Sequence, residues 1–118
     1  MEIAYTFRNV ESSEGVKTYA KDKLARLAKY VRSSIMADVV LSHERHLYRV
    51  EISVRSDAGR YVGIHESEDM YASIDLVTDK LDRQLRDHSD RNATDRKKHS
   101  GGVTQMSGKN DKFGSNER

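Results

Sequence analysis

Two hydrophobic rhythms alternate along the chain. In "EIAYTFR", residues 2–8, Ile3, Tyr5 and Phe7 alternate with Glu2, Ala4, Thr6 and Arg8, the period of two expected of a strand with one buried face. "VESSEG" follows. There Ser12 or Ser13 can accept a bond from a free helix-end amide, and Glu11 and Glu14 put negative charge at the positive end of the helix dipole. From Val16 to about Val31 the rhythm changes. Val16, Tyr19, Ala20, Leu24, Leu27 and Val31 recur at three- and four-residue steps, which predicts an α-helix with one apolar face. "RSSIMAD" ends it.

The period of two then returns. "ADVVLSHE" sets Val39 and Leu41 against Val40 and Ser42, and "LYRVEISVRS" sets Tyr48, Val50, Ile52 and Val54 against Arg49, Glu51, Ser53 and Arg55. "DAGR" at 57–60 supplies the glycine a tight hairpin link favours, so "RYVGIHE" reads as a fourth strand. "SED" opens the last helix, with Ser67 or Asp69 as its cap. Met70, Ile74, Val77, Leu81 and Leu85 form its buried stripe, and the pattern carries it to about His88. The element order is β-α-β-β-β-α. The expected fold is α+β: a four-stranded, mainly antiparallel sheet with both helices packed on one face.

A chain of 118 residues suits one ordinary domain. The apolar pattern places that domain at residues 1–91. Residues 92–118 hold only Val103, Met106 and Phe113 as large apolar side chains, too few to offset the entropy of ordering, and a disordered tail is expected there. The absence of cysteine excludes disulfides, thiolate metal sites and a cysteine nucleophile, and fits a cytoplasmic address. The N-terminus has no signal-peptide pattern and no stretch approaches a membrane span.

A net charge of +2 is too small to announce a nucleic-acid binder, but the charge is segregated. Residues 12–32 hold Lys17, Lys21, Lys23, Arg26, Lys29 and Arg32 against Glu14 and Asp22. On the last helix Lys80, Arg83 and Arg86 lie away from the apolar stripe. With both helices on one face of a sheet, these basic side chains can make a platform across the two helices. Lysine and arginine so arranged neutralise phosphates and release counterions, and double-stranded RNA-binding domains use a comparable α-β-β-β-α layout. Asp75, Asp79, Asp82 and Asp87 temper the platform. Asp79 with Arg83 and Asp82 with Arg86 stand at i, i+4, where a pair contributes about 0.2–0.5 kcal/mol.

Catalytic and metal patterns are missing. His43, His46, His65, His88 and His99 lack recognisable ligand spacing, Ser12, Ser13, Ser33 and Ser34 lack a nucleophile-elbow context, and Gly59 and Gly63 read as turn and strand glycines. Capping accounts for Glu66, Glu68 and Asp69 more simply than acid-base chemistry. No enzyme, cofactor, metal or small-molecule substrate is expected. Tyr71 reads as half core and half surface.

"EDMYASIDLVTDKLDRQL" closely resembles the signature of the ribosome hibernation-promoting factor family, which includes ribosome-associated inhibitor A (protein Y). The match runs through Asp69, Met70, Tyr71, Ile74, Asp75, Asp79, Lys80, Leu81, Arg83, Gln84 and Leu85, and the resemblance covers about residues 1–91. It implies a protein that binds 16S rRNA of the small (30S) ribosomal subunit and the 70S ribosome. Such a protein lies in the channel where mRNA and tRNA sit, and it blocks translation in stress or stationary phase. The rRNA-binding residues it implies are Lys17, Lys21, Lys23, Arg26, Lys29, Lys80, Arg83, Arg86 and Arg91. A monomer off the ribosome is expected.

Two departures stand out. "RDHSDR" puts Asp87 and Asp90 where the family usually has closely spaced lysines, and the chain is too short to carry the dimerising second domain of long-form members. The tail is closer in length to the inhibitor-type short forms, yet its basic "DRKKHSGG" does not resemble their extension in detail, so promotion and opposition of ribosome pairing both stay open. A protein-interaction module and a generic double-stranded RNA binder are the alternative readings.

Overall fold

The computed structural model describes residues 1–98, with side chains through Arg91. The elements are β1 (Glu2–Arg8), α1 (Glu14–Ala25), a 3-10 helix (Arg26–Tyr30), β2 (Met36–Glu44), β3 (Leu47–Ser56), β4 (Gly59–Ser67) and α2 (Met70–Lys98). The strands form one sheet in the order β1-β2-β3-β4. β1 and β2 pair in parallel, with Tyr5 level with Val39, because α1 carries the chain back across the sheet between them. β2–β3 and β3–β4 are antiparallel, so the sheet is mixed and mainly antiparallel.

Alternation along the strands sends one set of side chains toward the helices. Ala37, Val39 and Leu41 of β2 and Val50, Ile52 and Val54 of β3 are buried, and they meet Val16, Ala20, Leu24 and Leu27 from the first helical segment and Met70, Ile74, Val77, Leu81 and Leu85 from α2. Each fully buried aliphatic side chain here contributes about 1.5–3 kcal/mol relative to exposure. Gly63 lets α2 approach β4 closely. A Cβ at that position would stand 3.4 Å from Val77 Cγ1 and 3.6 Å from Leu81 Cγ.

Buried polar groups are satisfied locally. The Ser73 hydroxyl donates to the Tyr48 carbonyl at 2.8 Å and lies 2.7 Å from the Ser67 hydroxyl, and Thr78 donates to the Ile74 carbonyl one turn back. Ser13 caps α1 by accepting from the Val16 amide. At α2 the cap is Asp69, whose carboxylate accepts from the Ala72 amide at 2.9 Å.

Both helices differ in extent from the pattern. The first is α-helical only to Ala25, where the Arg26 amide bonds the Lys23 carbonyl three residues back and the backbone tightens into the 3-10 turn; Leu27 remains buried in that turn. The last does not stop at His88 but continues to Lys98. Its core stripe ends at Leu85, yet no Gly or Pro occurs between Met70 and Lys98 to break the backbone ladder. Residues 92–98 of the expected tail are therefore helical, and residues 99–118 lie outside the described residues.

Candidate nucleic-acid interface

The helical side of the molecule has a seam, a crest and two flanks, and the sequence-predicted basic residues are distributed among them. Along the seam, α2 presents Tyr71, Asp75, Thr78 and Asp82 at three- and four-residue steps, and Tyr19 and Lys23 of α1 with Arg26 of the following 3-10 helix stand at the same spacing. Tyr19 packs edge-on against Tyr71, with ring centroids 5.0 Å apart and planes at 83°. The Tyr19 hydroxyl donates to Asp75 Oδ1 at 2.6 Å, and Lys23 Nζ lies 3.0 Å from the same oxygen. Asp75 thus ties the two helices together.

The shared carboxylate sets the local charge states. Tyr19's bond is the largest influence on Asp75 and, together with the bond and charge of Lys23 and the charge of Arg26, holds it below the usual carboxylate range although desolvation pushes the other way. Lys23 is raised above the ordinary lysine value, chiefly by its bond to Asp75. Tyr19 is raised as well, first by donating to Asp75 and then by desolvation. The positive charge of Lys23 is therefore locally matched, and its ammonium also sits 5.5 Å from the Tyr19 ring centroid.

Outside the seam the pairing is looser. On the β1 flank Lys17 lies 3.4 Å from the exposed Glu14 carboxylate and 5.7 Å from the Tyr5 ring centroid, and Tyr5 donates to the Lys17 carbonyl. Lys21, one turn on, is exposed. Arg83 stands on the crest of α2, while Lys80 and Arg91 run along its β4 side, where the charge of Arg91 acts on Tyr61. Arg86 pairs with Asp82 at 3.5 Å, the predicted i, i+4 contact; Asp79 and Arg83 make no such pair among the described residues. Exposed pairs of this kind contribute about 0–1 kcal/mol and yield readily to a polyanion.

The structure brings Lys23 and Arg26 to the seam, holds Arg86 beside Asp82, and separates Lys17 and Lys21 on one flank from Lys80 and Arg91 on the other. Lys29 stands at the far end, its Nζ 5.3 Å from the Tyr30 ring centroid. The basic residues expected to form one platform are thus spread over the helical side, some paired and some without a counter-charge. Sequence reading assigned Tyr19 to the core stripe and missed its part in the seam, since its partner Asp75 comes from another helix. Tyr71 is 41% exposed, divided between packing and solvent as expected. His43 stacks on Tyr48 across the β2–β3 pair. Among the described residues no group of three His, Asp or Glu side chains is placed to hold a metal ion, and no helix is long and apolar enough to cross a membrane.

A mixed four-stranded sheet carrying two helices on one face defines the class of the domain as α+β. Residues 3–93 match the family described as sigma 54 modulation protein / S30EA ribosomal protein, and the chain belongs to that family. It is 33% identical over 91 residues to the ribosome hibernation promoting factor of Pseudomonas putida, covering 77% of this chain and 89% of that protein. The Escherichia coli K12 ribosome hibernation promoting factor is likewise 33% identical over 91 residues, covering 77% of this chain and 96% of that protein. In structure the chain is similar to the N-terminal domain of Thermus thermophilus protein Y, with a TM-score of 0.69 and 35% identity over 74% of this chain and 98% of that one.

Proposed function

We propose that this protein is a ribosome hibernation factor. It occupies the mRNA and tRNA channel of the 30S subunit against 16S rRNA, and so inhibits translation and stores idle 70S ribosomes in the cytoplasm during stress or stationary phase. It works by occlusion, without catalysis. Family membership and the names of its relatives support the ribosomal role. The observation that carries the contact surface is the set Lys21, Arg26, Lys29, Lys80 and Arg83: all are exposed on the helical side, and none forms an ion pair among the described residues. Cations without counter-charges give the largest gain on meeting phosphate, because no internal bond is lost.

The test is co-sedimentation of a Lys80→Glu/Arg83→Glu double variant with ribosomes. Both side chains are exposed, so the fold is expected to survive, which circular dichroism checks. Loss of ribosome binding by a folded variant is the expected result; retained binding removes α2 from the contact surface. A protein-interaction module is the second reading, favoured by the exposed Val62 and Ile64 on the open face of the sheet. It predicts partner capture indifferent to RNase and to the charge reversals.

A further inference from the structure

A cleft of about 450 Å³ opens at the end of the molecule where the 3-10 turn, the β3–β4 turn and α2 meet. That volume falls within the roughly 300–1,000 Å³ of small-ligand sites, and exceeds what a bare phosphate fills. One wall is cationic, formed by Lys29 and Arg32, and neither makes an ion pair among the described residues. Beside them lies the half-buried Tyr30 ring with Lys29 Nζ above it. The opposite wall is α2, through His88 and Ser89.

The one carboxylate in the lining is already engaged. Asp57 Oδ1 accepts from the Arg32 amide at 3.1 Å, the Ser33 amide at 3.3 Å and the Ser33 hydroxyl at 3.4 Å, and the Asp57 amide donates back to Ser33 Oγ at 2.8 Å. These bonds fix the loop that carries Arg32 against the β3–β4 turn. The Asp57 carboxylate stays ionised but its Oδ1 is committed to the frame of the cleft, and the backbone of Arg32 is tied down at the rim. A fixed backbone leaves only side-chain rotamers of Arg32 to be ordered on binding.

We infer that this cleft binds one nucleotide unit, its phosphate between Lys29 and Arg32 and its base against Tyr30. Paired cations beside an aromatic face are the combination by which proteins hold an unstacked nucleotide. The same chemistry is offered by two sources: a splayed nucleotide of an RNA strand, which would extend the proposed rRNA contact around the end of the domain, and a free mononucleotide. The inference rests on the phosphate-binding reading of this face but not on the ribosome itself.

The experiment is an amide NMR titration of the full chain with AMP, with GMP and with a ten-nucleotide single-stranded RNA. Saturable shifts at Arg32, Ser33, Asp57, Ala58 and Ser89 are expected. Shifts with RNA alone assign the cleft to a strand; shifts with either mononucleotide assign it to a free nucleotide. Arg32→Glu is expected to weaken the interaction about tenfold or more, as loss of a charged hydrogen bond does, and Lys29→Met to weaken it with the fold unchanged. Silence of these amides toward all three probes overturns the inference, as does an affinity indifferent to both substitutions. Ribosome co-sedimentation of the wild type separates the two readings. Binding to ribosomes with a silent cleft overturns the cleft alone, whereas cleft shifts without ribosome binding support the cleft and remove the hibernation reading.

Discussion

Replacing Asp75 by Asn keeps the shape of the side chain but removes the negative charge that Tyr19 and Lys23 share. In a buried site hydrogen bonds to a charged group contribute about 1.5–3 kcal/mol each. Here the Asp75 and Lys23 side chains are 39% and 21% exposed, and solvent screening reduces the loss to about 1 kcal/mol. For a domain of this size that is a fall in Tm of about 4–8 °C. The pH dependence is signed. Asp75 titrates below its unfolded value, so its contribution is fully present above that value, about 3.9, and disappears as pH falls through the lower folded value. Lys23 titrates above its unfolded value, so its share is complete below about 10.4 and disappears as pH rises through the folded value. Urea unfolding of wild type and Asp75→Asn is thus expected to differ by a constant amount from about pH 5 to pH 9, and to converge toward acid. A difference below about 0.3 kcal/mol at pH 7, or one that widens as the pH drops below 4, would refute the assignment of Asp75 as the interhelical tie. The same change leaves Lys23 without its counter-charge, so RNA affinity is expected to fall more steeply with salt, by nearly one unit of log-log slope, even as the fold weakens.

Leu81→Ala removes a fully buried side chain beneath α2, and denaturant unfolding is expected to show a loss of about 2–5 kcal/mol. Ser13→Ala deletes the α1 cap; the expected cost is about 0.5–2 kcal/mol, seen as a lower urea midpoint with an unchanged slope. Arg45 sits at the β2–β3 turn with φ 60°, a left-handed conformation that glycine adopts without a Cβ clash. Arg45→Gly should therefore raise stability by about 0.5–1 kcal/mol in the same assay.

Much of this fold is legible because burial imposes its period on the sequence. The alternation of Tyr48, Val50, Ile52 and Val54 and the stripe from Met70 to Leu85 each appear in the structure on the face the pattern assigns. The course of α2 beyond His88 was not legible, since a helix that has left the core has no apolar stripe to announce it. The shift to 3-10 geometry at Arg26 is likewise invisible, because Leu27 is buried in either conformation. Among the candidate site residues, helical spacing separates the basic from the apolar positions, but it cannot say which cations meet a counter-charge. Lys23 looks like Lys21 in the chain; only the packing of α1 against α2 gives Lys23 a carboxylate and leaves Lys21 without one. Asp57 gives no sign in the sequence that it orders the loop at Arg32, since that contact joins two turns distant in the chain.

Occlusion of ribosomes through phosphate contacts on the helical face can be measured in a sucrose-gradient profile of ribosomes mixed with the protein over a series of salt concentrations. Co-migration with 30S and 70S particles at low salt is expected, with the logarithm of affinity falling linearly and steeply against the logarithm of salt. Absence from every ribosomal fraction at low salt, or binding indifferent to salt, would contradict it.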